Sequence, residues 1–213
     1  MKLIISNNAQ GTQEWLNDRL GKATGSKASA IVSRGRSKGS DSIIRHKYKL
    51  QLALERITGV SQERDFSNKH MERGNGLEGR ARQTYEVKHQ ECIEEVGFAY
   101  REGMEYGCSV DGFTLDRSGI IEVKCPIAAI HYDYIEKNEI PNDYQMQIIH
   151  NLLITEVEYC DFVSYNEELP EKLRLFVCRF IPAIEQLKAY KTELDKFLDE
   201  VAILTESIKS KSL

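Results

Sequence analysis

The chain has 213 residues, 41% hydrophobic and 29% charged, with a formal net charge of −4. Such a length and balance fit a soluble globular protein, one domain of ample core size or one domain with a helical extension. The acidic balance excludes a global basic field, so any contact with a polyanion must rest on a local cluster.

In chain order, 12–20 reads as a short helix with Trp15 and Leu16 inward and Gly21 as its stop. Residues 26–32 read as helical, and 33–40 as a basic, glycine-rich loop. Asp41 is expected to cap a helix through Ile57, ended by Gly59, with Ile44, Tyr48, Leu52, Leu54 and Ile57 as its apolar stripe. A further helix is expected over 68–88. It carries Gly74, Gly76 and Gly79. Each costs about 1 kcal/mol against alanine, so close approach of the backbone to another element or a ligand is expected.

Strands follow over 92–101, 105–115 and 119–125. Pro126 suits the first turn of a helix to Lys137, and Pro141 opens another to Ile154. Strong β-formers mark strands over 159–165 and 172–181. A final helix spans 182–208, with Leu187, Tyr190, Leu194, Phe197, Val201, Leu204 and Ile208 at steps of three and four. That stripe either covers its own sheet, the preferred reading, or forms a seam with a second subunit. The order describes an α/β (α+β) domain around a central mixed β-sheet flanked by helices. One domain is expected over 1–213, with a core at about 11–181 and a C-terminal helix over about 182–208.

No apolar run reaches membrane-spanning length, and residues 1–5 are too short for a signal-peptide core. Five cysteines (Cys92, Cys108, Cys125, Cys160 and Cys178) are widely spaced with no Cys-x-x-Cys. Zinc, an iron–sulfur cluster and a disulfide framework are disfavoured, and reduced thiols in a cytoplasmic protein are expected. The five histidines show no metal-ligand spacing and read as packing or surface residues.

The densest chemistry lies in Ser109-Val110-Asp111-Gly112, the turn Asp116–Gly119, and Ile121-Glu122-Val123-Lys124-Cys125-Pro126. Strand alternation puts Glu122 and Lys124 on one face, and Ile121, Val123 and Cys125 on the other. Folding back at the turn brings Asp111 beside Glu122, so two carboxylates and an ammonium converge on one exposed spot. Carboxylate oxygens suit Mg²⁺ or Mn²⁺. Such a cation acidifies water and stabilises charge on a phosphate oxygen, with Lys124 orienting the water or balancing charge. That is a design for phosphodiester hydrolysis. An Asp and a Glu-x-Lys on the wet face of a hairpin also arise for ordinary cross-strand reasons.

Further blocks accompany it: Gly11–Trp15, Arg19–Gly21 and Thr24–Ser26; Gly74–Glu78 with Ala81-Arg82 and Tyr85-Glu86; and Tyr144–Gln147 ending in Ile154-Thr155. In this order, over roughly residues 11–165, they resemble the phage lambda exonuclease-like (YqaJ-type viral recombinase) family of the PD-(D/E)xK nuclease superfamily. Val110 stands where that family often has proline, and Gly25 where alanine is common; neither alters a site charge.

The resemblance implies a restriction-endonuclease-like fold and a Mg²⁺-dependent 5′→3′ exonuclease acting on linear double-stranded DNA, leaving 3′ single-stranded tails. Mn²⁺ is expected to substitute, with two ions per site. Asp111, Glu122 and the Val123 carbonyl become metal ligands. Lys124 acts on the attacking water, Glu78 reaches the site directly or through water, and Gln147 holds the lysine or the water with Tyr144 nearby. Arg19 and Ser26 receive the 5′-phosphate, which suits an arginine fork. A ring-shaped homotrimer, a single-strand annealing partner and a phage or prophage setting in a bacterial cytoplasm are implied too.

Plainer readings stand beside these. Glu78 can pair with Arg82 one turn on, and Arg19 can be a helix-end cation. Ser26 can be a helix N-cap, and Tyr144 and Gln147 surface polar residues. Arg34, Arg36 and Lys38, then Arg45, Lys47 and Lys49, either line a duplex channel or belong to a solvated loop and helix. Two rival functions also remain: an endonuclease of the same fold, and a DNA-end-binding scaffold without turnover.

Overall fold

A computed structural model describes residues 1–37, 39–62 and 69–211, and for 69–75 the backbone alone. Helices are α1 (Gln13–Arg19), α2 (Ala28–Val32), α3 (Ile43–Thr58), α4 (Lys69–His89), α5 (Ala128–Lys137), α6 (Asn142–Thr155) and α7 (Ile184–Ser210). Strands are β1 (Leu3–Ser6), β2 (Ala23–Thr24), β3 (Ile93–Glu94), β4 (Phe98–Arg101), β5 (Tyr106–Cys108), β6 (Gly112–Thr114), β7 (Gly119–Lys124), β8 (Tyr159–Tyr165) and β9 (Leu175–Phe180). The expected starts at Asn68 and the loop residue Lys38 lie outside the described residues. Among those described, no helix is long and apolar enough to cross a membrane, and all five cysteines are free thiols.

Mixed α/β architecture is as expected, but the strands form two sheets, not one. The first has the order β1-β4-β5-β2 and the second β3-β6-β7-β8-β9. The pairing explains the difference. Ile93↔Thr114 and Glu94↔Phe113 continue without a slip into Ala99↔Cys108 and Tyr100↔Gly107. Segments 92–101 and 105–115 are therefore one antiparallel ribbon, bent in its middle so that each half joins a different sheet. Backbone groups freed at the bend need other partners. Gln10 Nε2 donates to the Val96 and Val110 carbonyls at 3.4 and 3.2 Å. Trp15 Nε1 donates to the Gly97 carbonyl at 3.2 Å and to Ser109 Oγ at 2.9 Å.

At the centre of the second sheet β7 and β8 run parallel, joined through α5 and α6. Parallel neighbours require such a crossover. Both strands are buried along nearly their whole length, because helices cover both faces. On one face α4 packs Ala81 and Tyr85 against Ile121, Val123 and Val163. The main core on the other side includes Leu52, Phe113, Ile120, Ile148, Phe162 and Phe197.

Helix ends follow local chemistry. Thr12 caps α1 by accepting from Trp15 N, and Gly21 and Gly59 stop their helices at φ +67° and +66°. Ser42, not Asp41, caps α3, accepting from Arg45 N at 3.1 Å, because the Asp41 carboxylate is drawn to Arg45 and Lys49. Ile44 is 54% exposed rather than inward. The stripe on α7 buries Tyr190, Leu194, Phe197 and Val201 within the molecule, with Tyr48 of α3 stacked on Phe197 at 5.4 Å. Gly76 and Gly79 of α4 face open space, so close packing against another element does not account for them; the surroundings of Gly74 lie outside the described residues.

Candidate active site

Because Gly112 pairs with Ile121 and Phe113 with Ile120, Asp111 stands level with Glu122 where the ribbon bends. The turn between β6 and β7 is built as read: Asp116 Oδ1 accepts from Thr114 Oγ1, Ser118 N and Ser118 Oγ at 2.7, 2.9 and 2.8 Å. Asp111 Oδ2 accepts from Val123 N at 2.6 Å, and the Asp111 backbone carbonyl accepts from Arg82 Nη1 at 3.2 Å. Arg82 also pairs with Glu95 at 2.6 Å, where the simpler reading paired it with Glu78.

Glu122 departs from expectation in one respect: it is 1% exposed, buried in the protein and not on a wet face. A buried carboxylate needs donors on its oxygens. Oε1 accepts from Lys124 Nζ and from Gln147 Nε2, each at 2.5 Å, and Oε2 from Asn151 Nδ2 at 3.2 Å. Lys124 Nζ also donates to the Val123 carbonyl at 3.0 Å and lies 5.4 Å from the centre of the Tyr144 ring. That ring stacks on Phe162.

Burial pushes the Glu122 carboxyl up to about 7, with Lys124 opposing and Asp111 adding to the shift. Glu78, half-buried on α4, is likewise pushed up to about 7 by burial and then by the Asp111 charge. Burial works against the Lys124 ammonium, but Glu122 and Asp111 beside it hold its pKa above the ordinary value. Gln10, Glu78, Gly79, Arg82, Glu95 and Asp111 line one cavity of about 390 Å³. A larger hollow of about 880 Å³, along Arg80, Thr84 and Lys88 on another face of α4, contains none of the candidate residues.

Among the described residues no three His, Cys, Asp or Glu side chains cluster closely enough to hold a metal by themselves. Two carboxylates and one backbone carbonyl do stand together, an all-oxygen set. It fits a hard divalent cation that completes its shell with water and substrate oxygens.

Arg19 is 9% exposed, lies 4.1 Å over the Trp15 ring and donates to Ser109 Oγ at 3.3 Å, two residues from Asp111. Its loop is anchored on α3: Gly21 N donates to Glu55 Oε2, and Arg56 Nε donates to the Gly21 carbonyl, both at 3.0 Å. Ser26 is exposed on the 3-10 turn Gly25–Lys27, which packs on α6.

The basic cluster needs correction. Arg45, expected to line a channel, is 0% exposed. Its guanidinium pairs with Asp41 and Glu200 at 2.9 Å each, donates to the Ile31 carbonyl and lies over the Phe197 ring. Lys49 joins the same pair of carboxylates. Arg34 is bonded to Glu193 of α7. Arg36 and Lys47 are exposed.

Asn151 went unseen in the sequence. The signal was present: Tyr144, Gln147 and Asn151 follow one another at helical steps of three and four.

The model of the YqaJ-like viral recombinase domain matches residues 14–158, a span that holds every group on the Glu122 carboxylate. The chain belongs to that family. Crystal structures of an alkaline exonuclease (LHK-Exo) from Laribacter hongkongensis are similar to this YqaJ-like chain. One is 30% identical, covering 94% of this chain and 98% of that one with a TM-score of 0.84. The other, in complex with dAMP, is 31% identical over the same shares, with a TM-score of 0.85. A phage related exonuclease from Haemophilus somnus 129PT shares the fold at 16% identity, covering 88% of this chain and 96% of that one, with a TM-score of 0.71. A comparison with curated proteins found no match. The architecture is of the PD-(D/E)xK type.

Proposed function

We propose that this YqaJ-like protein is a Mg²⁺-dependent 5′→3′ exonuclease that digests one strand of linear double-stranded DNA and leaves 3′ single-stranded tails for phage-type recombination. One observation carries the reading. A buried Glu122 carboxylate stands level with Asp111 and is bonded to Lys124 and Gln147, in a chain similar to an alkaline exonuclease over nearly its full length.

Asp111, Glu122 and the Val123 carbonyl would hold the cation, and Mn²⁺ is proposed to replace Mg²⁺, with two ions per site. A bound divalent cation supplies an acidified water and neutralises charge on the scissile phosphate. Lys124, kept charged by its neighbours, is no proton acceptor; it orients the attacking water by N–H donation and offsets negative charge as the phosphorus is attacked. Glu78, poised near neutrality on the same cavity, is suited to take the water's proton. Gln147 holds Glu122 in place, and Tyr144 packs beside the lysine. Arg19 and Ser26 receive the 5′-phosphate, and exposed Arg36 meets backbone phosphates. One nuclease domain, a homotrimeric ring, an annealing partner and a cytoplasmic setting in a phage-bearing bacterium complete the proposal.

The test is end-labelled linear duplex carrying a 5′-phosphate or a 5′-hydroxyl, with and without Mg²⁺, beside a covalently closed plasmid. Digestion of the phosphorylated linear duplex in Mg²⁺, with the plasmid spared, is expected. Lys124→Ala should fold and lose roughly 10²- to 10³-fold in turnover, as removal of one preorganised donor does. Arg19→Ala should lose discrimination between phosphate and hydroxyl ends. A nicked plasmid would indicate an endonuclease, and binding without cleavage a scaffold.

A further inference from the structure

We propose that Asn151 is a positioning residue for the Glu122 carboxylate, and that the bare Cα of Gly25 provides the space that lets it act; this rests on the metal-site reading above. Both oxygens of Glu122 are held from one helix. Gln147 takes Oε1 and Asn151, one turn on, takes Oε2. Together they fix the plane of the carboxylate while its neighbour Asp111 approaches from the ribbon.

The Asn151 amide is oriented by this contact. It is 1% exposed, and Nδ2 faces the carboxylate; the reversed amide would set oxygen against oxygen. In the orientation adopted, Oδ1 is buried and, among the described residues, has no hydrogen-bond partner. A buried acceptor left unpaired is destabilising, so packing alone would favour an apolar residue of the same shape. Keeping the amide makes sense if its donor serves Glu122.

Gly25 makes this arrangement possible. A Cβ there would lie 2.3 Å from Asn151 Oδ1 and 3.3 Å from Asn151 Cγ, against 3.5 Å from Gln147 Cγ. Alanine at 25 would push the amide off Glu122. The same turn carries Ser26, so the candidate end-binding residue lies next to the two α6 side chains that hold the candidate metal ligand.

The experiment measures Mn²⁺ binding to the DNA-free protein, by electron paramagnetic resonance of the unbound ion, for wild type, Asn151→Ala, Asn151→Leu, Gly25→Ala and the double variant Gly25→Ala/Asn151→Ala. Circular dichroism melting checks the fold, and the leucine variant preserves volume if alanine does not fold. Groups that orient metal ligands typically cost 10- to 100-fold when removed, so Mn²⁺ affinity is expected to fall by roughly 10-fold or more in both Asn151 variants. In cleavage assays kcat should fall while KM for duplex ends stays unchanged. Gly25→Ala should weaken Mn²⁺ binding alone, yet add nothing in the Asn151→Ala background, because the group it displaces is gone. Wild-type affinity in Asn151→Ala and Asn151→Leu would overturn the proposal, as would additivity in the double variant. If the wild type binds no Mn²⁺ and cleaves no duplex, the nuclease reading fails and takes this inference with it. If it binds and cleaves while the variants match it, this inference alone fails.

Discussion

Glu122 and Arg45 are both charged groups inside the protein, and what surrounds each separates a reactive group from a structural one. Arg45 is surrounded by complementary oxygens from Asp41, Glu200 and Ile31 and faces the Phe197 ring. Glu122 has donors on both oxygens but stands level with a second carboxylate, and its pKa rises with burial and with that like charge. The like charge beside it favours a cation between the two, whereas every group around Arg45 complements its charge. Arg45→Ala is expected to lower unfolding stability by roughly 3 kcal/mol, the order found when one partner of a buried ion pair is removed. Urea unfolding measures this, and the salt dependence of DNA binding should stay as in wild type. Arg45 was unreadable as an internal residue because Glu200 lies on α7, far along the chain, while its lysine- and arginine-rich surroundings imitate a phosphate-binding patch.

At the scale of elements, two devices aim the side chains. The first is the bend in the ribbon, which leaves Asp111 outside the regular ladder and level with Glu122. The second is the seating of α4 on the second sheet. Tyr85 Oη donates to Asp161 Oδ2 at 2.7 Å, and Arg179 grips both Asp161 oxygens at 2.8 Å. Glu78 precedes Tyr85 by two helical turns and shares its side of the helix, so this anchor also sets the direction of Glu78. Tyr85→Phe keeps the ring and removes one bond to a charged acceptor. A loss of about 1.5–2 kcal/mol is expected in chemical denaturation, with Arg179 still satisfying Asp161. The bend was not legible: the pairing register is continuous through it, and its partners Gln10 and Trp15 come from the start of the chain.

For the whole molecule, acid should loosen the joint between the layers. His150 of α6 is fully buried, donating from Nε2 to the Gly107 carbonyl at 3.0 Å and accepting at Nδ1 from Tyr190 Oη at 2.7 Å. A carbonyl can only accept, so Nε2 carries the proton, and burial disfavours a second proton at Nδ1. Burial lowers its pKa to about 4, below the ordinary 6.5. The unfolded chain thus binds a proton before the folded one does. Stability is fully present above pH 6.5 and is lost as pH falls from there towards 4, by up to about 3 kcal/mol. His131, whose pKa is also lowered by burial, acts in the same sense. Glu78 and Glu122, whose pKa values burial raises to about 7, act in the opposite sense over the same interval, so the His150 contribution is read as a difference: His150→Gln should lose less melting temperature than wild type as pH falls from 6.5 to 4.

The short strands β1 and β2 escaped the sequence, which by itself determined the helices and the strands from residue 92 onward, their approximate ends and the spacing of Asp111, Glu122 and Lys124. These depend on strand alternation, helical period and turn chemistry, which act between near neighbours. Only the tertiary structure decided that the sheet is split, that Glu122 is buried, that Arg45 serves stability and that Asn151 reaches the carboxylate. Each of those outcomes depends on which distant segments pack together, and that is a property of the folded chain, not of any short stretch of it.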